Sequence, residues 1–536
     1  MTITSHHLAQ ALRIAADEVQ RLHVFLDDVD GWNGSDCDTG GNAAATLQSM
    51  AGAVARVAPA GLPDAPPLAT GLEIAVDAGV REGVGHVGVL VTALLASWRQ
   101  AVDGVDEIRP VELARMLSAR PGDAPDCHLE VPGQVSRMFD EGAAEIPETG
   151  QTLPDLSELL SSHVTQALYG LASAVSDGEE SLDAGAATIA MILTALDSAI
   201  RGSDDMLQTL AQMLADMSSA DEQTPPRAAT PDSDRLFVVD VLLRGTREDA
   251  DAAHARLVAL GTAHSMAGRA DAFGVGEYRI HADTSAPLAV RPARGAVVRF
   301  QVMDARPDEQ IGWDQLSDGV THRGVRILER RTLRRVERAG VIACTRAPGL
   351  VEDLAHAGAV VLLDPEDSDV AAFASAARRS STGVCLVAPC DDRTAAVALA
   401  AADGADVTEG LALPIADCRD DLTALEVSLA CAPIFVPLPG GRAVAGQVMP
   451  ILVEAARLAV ERSRAVAIDH TMDASELAAE VQATLAGAGV ARLLVAADDD
   501  QMFVGTLRQI MAGIDGVELS VMDGGQEGPS LLQGVS

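Results

Sequence analysis

Apolar residues recur at helical spacing from about residue 6 to 218, almost without a strand signal, and the pattern then breaks in a proline-bearing stretch. Leu8, Leu12, Ala15, Val19 and Leu22 form one stripe. Val87, Val91, Leu94, Leu95 and Trp98 form another, and Leu156, Leu160, Val164, Leu168 and Leu171 a third. Such stripes bury one face of a helix against its neighbours, and the same spacing predicts helices over 42–57, 111–119, 184–200 and 206–217. The expected fold of this half is a bundle of roughly eight helices. Residues 218–234 have no periodicity and three prolines, which reads as a linker.

Beyond it the period changes. A strand is expected at 236–243, a helix at 247–260 and strands at 274–281 and 296–303, a small α+β unit. From about 338, strands at 340–344, 359–363, 383–388 and 432–438 alternate with helices at 370–379 and 394–402. Helices at 443–464 and 474–487 and strands at 492–497 and 517–522 close the chain. Alternation of this kind predicts a mostly parallel sheet covered on both faces. Pro389 and Pro437 then fall at strand C-terminal ends, where open α/β sheets carry ligand loops. No glycine fingerprint for a dinucleotide follows any of these strands. The expectation is a multidomain chain. A helical domain spans 1–205, a final helix and linker 206–233, an α+β middle domain 234–335, and an α/β C-terminal domain 336–536.

At 536 residues the chain is too long for one ordinary core. Aromatics are only 2%, so Ala, Val and Leu must fill the cores. All 39 basic residues are Arg, which excludes a P-loop or any step that needs a lysine amine. A formal charge of −39 argues against nucleic acid and anionic membrane as partners. Seven scattered Cys without a CxxC pair, and no basic or apolar leader pattern at the start, read as reduced thiols in a cytoplasmic protein.

The stretch that carries chemistry is Asp36-Cys37-Asp38-Thr39-Gly40-Gly41-Asn42. Two carboxylates one residue apart suit Mg²⁺, which keeps phosphate oxygens among its ligands. Thr39, Gly40 and Gly41 let backbone approach a phosphate, and a helix starting near Asn42 would present free N–H groups to it. The bland reading is an N-capped loop. Cys37, flanked by acids, is disfavoured as a nucleophile.

Those residues, after Leu22-His23-Val24-Phe25, resemble the N-terminal motif of the dihydroxyacetone-kinase L-subunit (DhaL-like) family, specifically the fatty acid kinase catalytic subunit. Gly85-His86-Val87-Gly88 is similar to that family's second glycine loop, and Leu182-Asp183-Ala184-Gly185-Ala186 to its Asp-Ala-Gly turn. Residues 147–153, 279–284 and 432–439 resemble further segments in the same order. The resemblance implies an all-α DhaL-like helical barrel that binds ATP. Asp36 and Asp38 would hold Mg²⁺, with Asp30 as a nearby substitute carboxylate. Thr39, Gly40, Gly41, Asn42, Gly85, Gly88, Asp183 and Gly185 would lie on the nucleotide. It also implies a homodimer that phosphorylates a fatty acid, or a small carbonyl or hydroxy substrate, presented by a lipid-binding (DegV-like) carrier protein.

The departures are specific. Five extra residues precede Asp36, and Asp27, Asp28 and Asp30 stand in that insertion as substitute carboxylates or as a solvated acidic loop. His23 and His86 stand for Asn, Val84 for Arg, and Val87 for a Ser expected to face phosphate. The middle region has neither the Cys nor the second His with which family members could hold a metal, so His281 reads as an ordinary hydrogen-bonded side chain. Three readings therefore stand: an active kinase subunit, a catalytically lapsed nucleotide-binding scaffold, and a helical interaction module joined to an unrelated α/β domain.

Overall fold

The structure, a computed structural model, describes residues 2–32, 38–59, 65–143, 155–177, 181–220, 237–305, 319–327, 340–377, 384–404, 411–434, 442–499, 501–511, 513–514 and 516–536. An N-terminal, largely helical region is followed by mixed α/β sheet units. Its helices are α1 (Ser5–Trp32), α2 (Thr39–Val57), α3 (Leu68–Glu82), α4 (Gly85–Ala101), α5 (Pro110–Ser118), α6 (Gly133–Ala143), α7 (Leu156–Asp177), α8 (Ala184–Arg201) and α9 (Asp205–Ala220). A two-residue strand, β1 (Cys127–His128), lies between α5 and α6.

Each boundary has a local cause. Asp183 caps α8 by accepting from the Ala186 N–H at 2.6 Å, and Gly202, at φ 69°, ends it in the left-handed conformation that only glycine adopts without strain. Every residue from Ala186 to Ile200 is buried, making α8 the deepest member of the bundle. It is long and apolar enough to cross a membrane, yet it is enclosed by protein. Its neighbours are α1, α2, α4, α6, α7 and α9. Helix α9 runs to Ala220, and Leu210 and Leu214 join the helical core. Its last turn thus takes in 218–220, which the sequence reading gave to the linker; residues 221–236 lie outside the described residues.

The second half is built on strands β2 (Phe237–Thr246), β3 (Ala263–Ala270), β4 (Val275–Thr284) and β5 (Ala296–Asp304), with α10 (Arg247–Leu260) between β2 and β3. Thr246 and Asp249 form a capping box at the start of α10, and Gly261, at φ 67°, closes it. A hairpin of β6 (Val320–His322) and β7 (Val325–Ile327) follows. Next come β8 (Gly340–Thr345), α11 (Val351–His356), β9 (Val360–Leu363), α12 (Ala371–Ala377), β10 (Cys385–Ala388), α13 (Asp392–Gly404) and α14 (Asp421–Cys431). The chain closes with α15 (Arg442–Arg462), β11 (Ser463–Ile468), α16 (Ala474–Leu485), β12 (Val490–Val495), α17 (Gln501–Met511), β13 (Glu518–Asp523) and β14 (Ser530–Val535).

The middle strands and β8 to β10 share one eight-stranded sheet, in the order β1-β3-β4-β2-β5-β9-β8-β10. The expected border at 335/336 therefore crosses a sheet that stays continuous through the antiparallel pairs Gln301↔Leu362 and Val302↔Val361. Among the described strands, only β9, β8 and β10 run parallel in it. The last four strands form a separate mixed sheet, β11-β14-β12-β13, over a small core with Leu477, Leu493, Phe503 and Leu532. A mostly parallel C-terminal sheet is thus too simple, because β12 pairs parallel with β13 but antiparallel with β14. Ala432 ends a helix instead of opening a strand, and 435–441, with Pro437, lie outside the described residues.

Strand β2 is buried on both faces from Phe237 to Leu243. Phe237, Val239, Val241 and Leu243 pack with α10, whereas Leu242 belongs to the core of the helical bundle. The bundle thus lies directly on one face of the sheet, with α3 and α4 against β3 and β4. That contact is rich in ion pairs. Arg269 grips Asp77 through two bonds of 2.6 and 3.0 Å and reaches Glu73 at 2.9 Å, and Arg81 meets Glu277 at 2.6 Å. The β6–β7 hairpin adds a strap, with Ile327 fully buried in the helical core. Its two-residue turn, Arg323–Gly324, has positive φ at both positions (46° and 78°), as a tight hairpin of right-twisted strands requires.

Candidate functional site

Three helices, α2, α4 and α8, begin at the same end of the bundle, and the last turns of α1 meet them there. Gly40 is what brings α1 and α2 together. A Cβ at this position would be driven into the His23 carbonyl, so α2 starts in direct contact with the backbone of α1. The Gly40 and Gly41 N–H groups donate to Asp27 Oδ1 at 2.7 and 3.1 Å, and the Asp38 N–H donates to Asp30 Oδ2 at 3.3 Å. The turn before α4 is tied in by Thr46, whose hydroxyl accepts from the Val84 N–H at 3.0 Å and donates to the Asn42 carbonyl at 2.8 Å. Gly85, at φ 68°, lies against the Asn42 side chain, and Gly88 packs on the Thr46 hydroxyl. Gly185, in the first turn of α8, packs between Asp183 and Leu90.

Of the sequence-expected residues, the described ones among 30–42, 85–88 and 183–185 lie at this end of the bundle, though several act differently from expectation. Gly40, Gly85 and Gly88 allow close packing of backbone, while Gly41 is exposed with open space around its Cα. Asp27 occupies the first N–H groups of α2, which the sequence reading had reserved for phosphate. Asp183 is a helix cap as well as a carboxylate facing this end. Val87, where the resembled motif carries a Ser, is buried in the helical core. Asp36 and Cys37 lie outside the described residues, as does 147–153. We expect Gly40→Ala to cost about 1–3 kcal/mol by forcing α2 off α1, measured by urea unfolding. A loss of a few tenths would show that the two helices can separate freely.

The electrostatics are those of crowded acids. Burial, together with Asp38 and Asp30, pushes the Asp27 carboxyl up to about 8, even though the Gly41 and Gly40 N–H groups pull the other way. Burial, then Asp38, and more weakly Asp183, push Asp30 up to about 7 against bonds from Thr39 and the Asp38 backbone. Four carboxylates thus sense one another at an end where three helix dipoles point their positive termini. A divalent cation would offset such repulsion.

A second cluster was missed. On strands β3, β4 and β2, Ser265, His281 and Asp240 are register partners across one face of the sheet, and Asp283 lies two residues further along β4. From the first turn of α4, His86 comes down onto this face. Its Nδ1 lies 2.9 Å from Ser265 Oγ and its Nε2 3.3 Å from Asp283 Oδ2. The His281 Nδ1 is 2.9 Å from Asp240 Oδ1, and its Nε2 3.8 Å from Asp283 Oδ1. Burial and the neighbouring His281 lower the His86 pKa, favouring the neutral ring, although its side chain is 46% exposed. His281 is therefore not alone. Strand alternation in Arg279-Ile280-His281-Ala282-Asp283 was the available signal, but no pattern in the sequence links residue 86 to it.

Comparison of the sequence with protein-family profiles and with curated proteins finds no significant match.

Proposed function

We propose that the helical domain binds a Mg²⁺-nucleotide and acts as the phosphotransferase unit of a kinase similar to fatty acid kinase and dihydroxyacetone kinase. The observation that carries this reading is the meeting of Asp27, Asp30, Asp38 and Asp183 where α2, α4 and α8 begin. Carboxylates beside helix N-termini can serve a metal and its phosphates at once. The neighbour order α1, α2, α3, α4, α5, α7, α8 and back to α1 supports a barrel reading of the bundle. In this reading Asp30, Asp38 and Asp36 hold Mg²⁺. Thr39, Gly41 and Asn42 face the nucleotide, with Gly40, Gly85, Gly88, Asp183 and Gly185 shaping the walls. The metal would neutralise charge on the phosphates, and the protein would supply positioning. The acceptor is a fatty acid or small carbonyl or hydroxy compound brought by a lipid-binding carrier to a homodimer in the cytoplasm.

Titration of the protein with Mg-ATP in a calorimeter tests it. Asp30→Asn and Asp38→Asn should each weaken binding by about tenfold or more, near 1.4 kcal/mol. Parent-like affinity in both variants would remove the metal assignment. Because burial and the neighbouring Asp38 push the Asp30 carboxyl up to about 7, Mg²⁺ affinity should rise from pH 6 to pH 9 as it ionises. A flat profile would count against Asp30 as a ligand.

One observation favours the lapsed-enzyme reading. Asp27 already satisfies two N–H groups at the start of α2 that an incoming phosphate would use. Mg-ATP binding with no transfer to a carrier-bound fatty acid would establish it.

A further inference from the structure

We propose that His128, His254 and His264 form an acid-operated latch, which fastens β1 to α10 and β3 at neutral pH and releases it as the rings take up protons. Strand β1 is two residues long and lies at the edge of the eight-stranded sheet. Cys127 pairs with Ala267 and belongs to the core of the helical bundle. His128 pairs with Met266, and its ring stacks on that of His254 from α10, with centroids 4.2 Å apart and an interplanar angle of 12°. The His264 ring on β3 lies 5.0 Å from His254 in turn. Imidazoles from three elements therefore meet where the bundle joins the sheet edge.

The hydrogen bonds fix where the protons sit. The Thr262 carbonyl can only accept, so the His264 Nδ1–H donates to it at 2.8 Å. In the neutral ring the bare His264 Nε2 then accepts from the His254 Nδ1–H at 2.9 Å. This pair can share one added proton if His254 changes tautomer, but a second leaves two N–H groups facing each other. Protons on His128 and His254 together stack two cations face to face. Asp251, 3.4 Å from His128 Nε2, is 55% exposed and offsets this only in part. Burial, then His128 and His264, hold the His254 pKa below its ordinary 6.5 against the pull of Asp251. A histidine whose folded pKa is depressed contributes stability that is complete above its unfolded value and is lost as pH falls below it. The latch is therefore closed above about 6.5 and weakens below that. Two further ionisable neighbours are part of the surroundings. Asp126 fastens the start of β1 to Arg247 of α10 at 2.6 Å, and Tyr278 of β4, whose hydroxyl burial pushes up to about 12, stays neutral throughout.

The latch stands apart from the nucleotide reading and is tested without nucleotide. Cys127, 6% exposed, is the reporter, because it moves with His128 when β1 leaves the sheet. Cys385 on β10, at the opposite edge of the same sheet and 1% exposed, is the reference. Burial pushes both thiols up to about 12, so their intrinsic reactivities change together with pH and the ratio reads local opening. The full chain is labelled with 4,4′-dithiodipyridine, which reacts with thiols in acid as well as at neutral pH, and each cysteine is followed by peptide mass spectrometry. The Cys127 to Cys385 labelling ratio should rise about tenfold or more between roughly pH 7.5 and 5.5. His254→Gln and His128→Gln should each hold that rise to about twofold or less, since each removes one face of the cationic stack. Circular dichroism across the same pH range checks that every protein stays folded, and the partly exposed His128→Gln keeps the test open if His254→Gln does not fold. A flat ratio in the parent, a parallel rise of both thiols, or a parent-like rise in folded His128→Gln protein would overturn the proposal.

Discussion

Replacing Arg299 with Met should lower the unfolding free energy by about 3–5 kcal/mol, the usual consequence of leaving one member of a buried ion pair without its partner. Arg299 is 1% exposed and Asp369 7%, and they meet through two parallel bonds of 2.7 and 2.6 Å. The remaining nitrogen donates to the Arg81 carbonyl at the end of α3, at 2.8 Å. One side chain on β5 thus joins the helical bundle to the segment before α12. Urea denaturation of Arg299→Met measures the loss, and the double change Arg299→Met with Asp369→Leu should restore most of it, because no charge then stays stranded. A single-variant loss under about 1 kcal/mol would mean that water reaches Asp369 readily.

The second large effect is a pH dependence centred on the hairpin strap. Burial alone raises the Glu18 carboxyl, but the His322 ring at 2.6 Å and the Arg323 guanidinium, with two bonds of 3.0 Å, override it. The result is a pKa of about 2 against an ordinary 4.5. A carboxylate whose folded pKa is depressed contributes stability that is complete above its unfolded pKa. That stability is lost as pH falls through the folded value. The window is therefore pH 4.5 down to 2, and the amount is about 3 kcal/mol at roughly 1.4 kcal/mol per pH unit. Glu18→Gln should flatten stability across that window and cost a similar amount at pH 7. An unchanged slope in the variant would place the acid sensitivity elsewhere.

How much of this could be read beforehand depends on the range of the interactions. Helix α10 was legible to the residue, because Thr246, Asp249 and Gly261 punctuate it locally. Strand β3, Ala-His-Ser-Met-Ala-Gly-Arg-Ala, was not. Its residues are small or polar, and it is held in place by β4 and by ion pairs to α3. Strand β14 escaped for a similar reason, since Ser530 and Gln533 are buried by hydrogen bonds that residues far away in sequence provide. At the candidate site, the glycines and Asp38 were visible as a motif. What they do was not, because the contact of Gly40 with His23 and of Gly85 with Asn42 exists only after the helices pack. Asp27 was offered only as one acid in a loop, yet it caps α2. The sheet-face cluster needed a partner some two hundred positions away, and periodicity has no means of reporting that.

The pairing of β5 with β9 also sets a timetable for the nascent chain. Strands β2, β3, β4 and β5 are all synthesised by Asp304, but among the described residues the strand that pairs with the outer edge of β5, at Gln301 and Val302, emerges only with Val361 and Leu362. At about 5–20 residues per second, a gap of roughly 60 residues keeps that edge open for about 3–12 s on the ribosome. During this interval a nine-residue strand with Val298, Phe300 and Val302 presents unpaired backbone groups, a template for pairing with another chain. Products terminated between 305 and 360 would keep that edge permanently, and they should aggregate where the full-length chain does not.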